Sequence, residues 1–206
     1  MKNHYDIRNQ AYLDRIVQIA EGNARIAMLT GKTACDANRL DAINDVSDLY
    51  AEYFGKALHE SGVDTNIKLL ASAGVMAFLN AIHLDRIDPI LSVLKEKGIS
   101  KDDFVESIHV LHEHEIVDIC NDKGVRFSEQ CMSNFVLKYV FFDKKVIALS
   151  KMIEACFGSY HERTVHAVNA LLGVFRNDDL RAYVEKEILD LWKKLEAQKS
   201  PFFMEF

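Results

Sequence analysis

Proline is nearly missing from this sequence. Two residues, Pro89 and Pro201, are all that interrupt 206 positions, and both sit near segment boundaries. Almost nothing therefore breaks long helices. Glycine is also sparse, at nine residues, and a hydrophobic fraction of 49 % is too high for a disordered chain. Apolar runs are short and interrupted, as at Val136-Leu137 and Val140-Phe141-Phe142. A spanning helix needs roughly 18 or more apolar residues in a row, so no membrane segment is expected. The opening Met1-Lys2-Asn3-His4-Tyr5-Asp6 lacks the apolar core of a secretory signal. A basic excess is absent too. There are 25 Lys and Arg against 31 Asp and Glu, a formal charge of -6, which argues against DNA as the main partner. The four cysteines, at 35, 120, 131 and 156, form no CxxC pair, so neither a zinc knuckle nor a redox motif is indicated. They read as reduced, mostly buried thiols in a cytoplasmic protein.

What is present is helical periodicity. Residues 8–30 carry apolar positions Tyr12, Leu13, Ile16, Ile19 and Ala20 on one face, with a break expected at Gly22-Asn23. Residues 39–59 form the clearest amphipathic helix, from Leu40 and Ile43 to Ala57, ended by Gly62. A helix is expected over 66–84. Asp88-Pro89 reads as a cap followed by proline at the first helical position, which predicts a short helix over 89–97 stopped by Gly98. Ser100-Lys101-Asp102-Asp103 resembles a capping box with Asp in place of Glu, opening a helix over about 101–115. The period then changes. Ile116 to Cys120, the turn Asn121-Asp122-Lys123-Gly124, and Val125-Arg126-Phe127 predict a single β-hairpin. Three helices followed by a hairpin is the order of a winged-helix domain. Further helices are expected from Ser128 towards Phe142, and near 145–157, 162–176 and 178–196, the last two as an antiparallel pair. The fold class is mainly α: a helical lid-like bundle at 8–62, a winged-helix domain at 64–130 and a helical extension at 131–206.

Chemical motifs are weak. Gly31-Lys32-Thr33 has the tail of a phosphate-binding loop, but Ile26 stands where the first glycine belongs and the segment reads as helix. A helix C-cap at Gly31 is the simpler expectation. His109, His112 and His114 with Glu113 and Glu115 look metal-like, yet neither they nor His161-Glu162 with His166 make HExxH. The helix over 101–115 carries Lys101 against Asp102, Asp103, Glu106, Glu113 and Glu115. Duplex phosphates would repel it.

Three stretches carry a family resemblance: "RIVQIAEGNARIAMLTGKTA" at 15–34, "INDVSDLYAEYF" at 43–54 and "VRFSEQCMSNFVLKYVFFDKK" at 125–145. Together they resemble the region downstream of the nucleotide-binding core in STAND-class P-loop NTPases. These are AAA+-related signalling ATPases that include bacterial antiviral sensors. That family often reads I-x-x-I-A-x-G-N-P-R-x-A. The resemblance implies that Gly22, Asn23 and Arg25 face nucleotide from the helical lid, and that Ala24 replaces the usual proline. It also implies a longer parent, with ATP or ADP and Mg²⁺ bound there, and an upstream NTPase core and other proteins as partners. The chain itself contains no P-loop and no strand ending in paired acids, so it is expected to be non-catalytic and to hold no cofactor alone. Two alternatives stand beside this reading: a stand-alone winged-helix DNA-binding regulator, and a helical protein-interaction module.

Overall fold

The computed structural model describes residues 10–20, 24–37, 46–175 and 177–198. The chain divides into two units, Met1–Glu60 and Ser61–Phe206. Among the described residues the protein is mainly helical, with one small antiparallel sheet. No described helix is long and apolar enough to cross a membrane.

In the first unit, α1 (Gln10–Ala20) packs against α2 (Ala24–Ala37). The apolar stripe buries Ile16, Ile19 and Ala20 from α1 and Ile26 and Leu29 from α2. The expected break at Gly22-Asn23 lies outside the described residues. Gly31 does not cap a helix: it is a buried interior residue of α2, which runs on to Ala37. Thr30 accommodates its own burial by donating its hydroxyl to the Ile26 carbonyl at 2.7 Å. Residues 39–45 of the next predicted helix are outside the described part. From there α3 (Val46–Tyr50) passes through a π-helical turn, Ala51–Gly55, into α4 (Lys56–Glu60). Leu49, Tyr50, Phe54 and Leu58 are buried, and Phe54 receives Tyr50 and Tyr53 edge-on at centroid distances of 5.4 and 5.1 Å.

The second unit opens with α5 (Ile67–Leu79), capped by the Asn66 side chain. Every residue from Leu70 to Leu79 is buried, so this helix is apolar all round, as a central core helix must be. Then follow β1 (Ala81–His83), α6 (Asp88–Lys95), α7 (Lys101–Glu113), β2 (Val117–Cys120) and β3 (Gly124–Phe127). The sheet order is β1-β3-β2, all antiparallel, with Ile82 opposite Val125 and Ile119 also opposite Val125. Helix, strand, two helices and a hairpin whose return strand is central is the winged-helix topology.

Two features depart from the sequence expectation. The helix predicted over 66–84 stops at Leu79, because Asn80 turns the backbone at φ 60°. Asparagine tolerates positive φ better than most residues. The chain continues as β1, whose first hydrogen-bonded neighbour is fixed by Phe127 N–H donating to the Asn80 carbonyl at 3.1 Å. The hairpin is therefore part of a three-stranded sheet. The helix predicted near 145–157 begins only at Leu149, since Lys145 has φ 49° and cannot continue a right-handed helix.

Residues after the hairpin share the core of the winged helix. α8 (Gln130–Lys138) runs into a second π-helical turn, Tyr139–Asp143, closed by Lys144 N–H on the Tyr139 carbonyl at 2.8 Å. The turn sets Val140 against Gly74 of α5 and Phe141 against Phe78, ring centroids 5.6 Å apart. α9 (Leu149–Cys156), α10 (His161–Val174) and α11 (Asp178–Ala197) complete the unit. Asn177 caps α11 by accepting from Leu180 N–H at 2.8 Å.

The four thiols separate by environment. Where the sequence suggests mostly buried thiols, only Cys131 and Cys156 are buried, while Cys35 and Cys120 lie exposed on α2 and at the hairpin turn. Burial pushes the Cys156 thiol up to about 12. A thiol-specific disulfide reagent at pH 8 is expected to modify Cys35 and Cys120 quickly in the native protein. Cys131 and Cys156 should react only after denaturation; rapid native labelling of Cys156 by mass spectrometry would contradict the packing.

Candidate functional site

A winged helix presents its third helix and its wing to a partner. The start of α7 is fixed by a full capping box. Ser100 Oγ accepts from Asp103 N–H at 3.1 Å, and Asp103 Oδ2 accepts from Ser100 N–H at 2.9 Å. Lys68 of α5 holds the other Asp103 oxygen at 2.6 Å. The Lys68 ammonium, followed by the Ser100 backbone and hydroxyl, keeps the Asp103 carboxyl well below the usual carboxylate range. Phe104, Ser107, Ile108 and Leu111 face the core. The opposite face carries exposed Asp102, Glu106, His109 and Glu113 against the single cation Lys101 at the helix start, with Val105 and Val110 half-buried between them, and they line a shallow groove.

The wing adds little positive charge. Its two cations are Lys123 and Arg126, and each is engaged. Lys123 pairs with Asp85 at 2.7 Å, and Arg126 with Asp118 at 3.3 Å. Lys123 hydrogen-bonding holds the Asp85 carboxyl below its ordinary value, and Asp85 in turn raises the Lys123 ammonium. Such exposed pairs add little stability, but they neutralise the groups that would meet a phosphate. The Asp118–Arg126 pair was legible in the sequence: a turn at 121–124 puts the two residues directly across the hairpin, as the register shows. The Asp85–Lys123 pair joins the segment after β1 to the wing and has no local signal.

The histidines do not converge. His112 donates from Nδ1 to the Val117 carbonyl at 2.9 Å, tying the end of α7 to β2, while His109 lies in the groove. Further along, His161 packs its ring on Phe157 at 4.5 Å. Among the described residues no group of three possible metal ligands forms.

Of the three residues that the resemblance assigns to nucleotide, Gly22 and Asn23 lie outside the described residues. Arg25 is exposed on the first turn of α2, next to exposed Ala24. Lys32 of the incomplete phosphate-loop motif instead places its ammonium over the Tyr53 ring at 5.2 Å, within the same unit. Comparison with protein-family models, curated proteins and solved structures finds no match to this chain.

Proposed function

We propose that this chain is the regulatory lid and winged-helix portion of a STAND-type signalling ATPase, of the kind used in antiviral sensing, and that its winged helix acts through protein contacts. The observation that carries the second half is the charge of the presented surface. The outer face of α7 is anionic and both wing cations are committed to carboxylates. A winged helix that reads DNA needs cations free to meet phosphates. An anionic groove with half-buried valines instead suits a basic protein segment.

The first half rests on the resemblance, and Arg25 fits it. It is exposed on the first turn of a helix, and a guanidinium matches the forked geometry of a phosphate. In this reading an upstream NTPase core supplies the P-loop and Mg²⁺, ATP or ADP lies between core and lid, and Arg25 contacts phosphate. The chain works in the cytoplasm, where its thiols stay reduced. The test is calorimetry with ADP and Mg²⁺ on the native-length protein. Arg25→Ala is expected to weaken ADP by about tenfold, the value of one charge-assisted contact. Unchanged affinity would remove Arg25 from the nucleotide site.

A further inference from the structure

Within the 61–206 unit, the end of α6, the bend before α9 and the middle of α11 enclose a cleft of about 380 Å³. That is within the size range of small-molecule sites. Val93 and Ile147 are buried in its floor, and its rim carries Lys97, Lys145, Lys151 and Lys186 against Glu96 and Glu187. Both carboxylates are already engaged. Glu96 is paired with Lys151. Glu187 accepts from Ser150 N–H at 3.0 Å and from its hydroxyl at 2.7 Å, so it caps α9 from a distant helix.

Lys97, Lys145 and Lys186 are left with no carboxylate partner among the described residues. Lys145 is held in place by two constraints. Its backbone takes the left-handed conformation, φ 49°, and its ammonium sits 5.1 Å from the centre of the Tyr183 ring. A non-glycine residue in that conformation stores strain, a frequent mark of ligand sites. Burial, with the nearby Glu187 carboxylate, raises the Tyr183 hydroxyl above its ordinary value, so it stays protonated at neutral pH. Glu187 keeps its negative charge, because both of its donors are neutral groups of Ser150. The cleft lining still carries more ammonium than carboxylate charge, in a chain of net charge -6. A concavity with an excess of positive charge focuses the field on an anion.

We propose that this cleft binds a small polyphosphate-bearing molecule, with Lys97, Lys145 and Lys186 on the phosphates and the Tyr183 hydroxyl as a further donor. The site is independent of Arg25, which belongs to the other unit. The α9 N-terminus contributes nothing to it, because Glu187 occupies that position.

The experiment is calorimetric titration of the full chain with inorganic pyrophosphate at about 50 mM ionic strength, where surface charges are only partly screened. One saturable site per chain is expected. Lys145→Ala with Lys186→Ala should weaken it at least about tenfold, the loss of two partly screened ammonium contacts. The reversal Lys97→Glu with Lys186→Glu changes only exposed side chains and should do the same. Lys193→Ala, also on α11 but outside the cleft, and Arg25→Ala should leave binding unchanged. Absence of saturable binding would overturn the proposal, as would equal weakening by Lys193→Ala. A short duplex displacing pyrophosphate at equal phosphate concentration would also overturn it, in favour of a nucleic-acid backbone.

Discussion

Gly74→Val is expected to lower the unfolding free energy by about 3 kcal/mol, at the upper end of typical overpacking costs. A Cβ on Gly74 would meet Val140 Cγ1 at 2.4 Å, with the Val140 Cβ and Cγ2 at 3.0 and 3.1 Å. Val140 is β-branched and fully buried, so it has no spare rotamer with which to retreat. Gly74→Ala is milder, because alanine returns about 1 kcal/mol of helix propensity. The two positions should be coupled. Val140→Ala alone leaves a cavity costing about 2 kcal/mol. Combined with Gly74→Ala, the new methyl group occupies part of that space. The double variant is then expected to be at least about 1 kcal/mol more stable than the sum of the single losses. Chemical denaturation of the four proteins checks this, and strict additivity would mean that the π-turn does not pack on α5 as described.

Phe141→Ala is expected to cost about 4 kcal/mol, in the range for deleting a buried aromatic ring. Phe141 is fully buried and its ring leans on Phe78, itself buried in α5. Phe78 belongs to the first helix of the winged-helix topology, whereas Phe141 follows the hairpin. If these parts share one core, the loss destabilises residues 61–206 as a whole. Hydrogen exchange should then show protection falling together in α5, α7 and α10. A loss confined to α9, α10 and α11 would make the later helices a separate folding unit.

Elements with local chemical punctuation were legible from the sequence. Asp88-Pro89 marked the start of α6, although the cap is Ile87 and Asp88 is already helical with no side-chain capping bond. The Ser100 and Asp103 pair opened α7, and Asn121 and Asp122 supplied the two positive-φ residues of the hairpin turn, at 50° and 61°. The missed features leave no local trace. Ala81-Ile82-His83 continues the apolar content of α5, and only the conformation of Asn80 divides helix from strand. The two π-helical turns, at Ala51–Gly55 and Tyr139–Asp143, shift the helix register by one residue inside segments that read as unbroken helix. The anionic face of α7 could be counted from the sequence. The neutralisation of Lys123 could not, because Asp85 lies 38 residues away. The lysine cleft draws on three elements brought together only by the fold of the 61–206 unit.

The central functional claim is that this winged helix meets protein and not DNA. Its most direct test is the fluorescence anisotropy of a labelled duplex of about 20 base pairs, titrated with the protein at about 50 mM salt, where phosphate contacts are strongest. With an anionic α7 and both wing cations paired, the anisotropy is predicted to stay flat up to about 100 μM protein, the weak end of ordinary non-specific binding. A rise in anisotropy that weakens steeply as salt is increased would contradict the account.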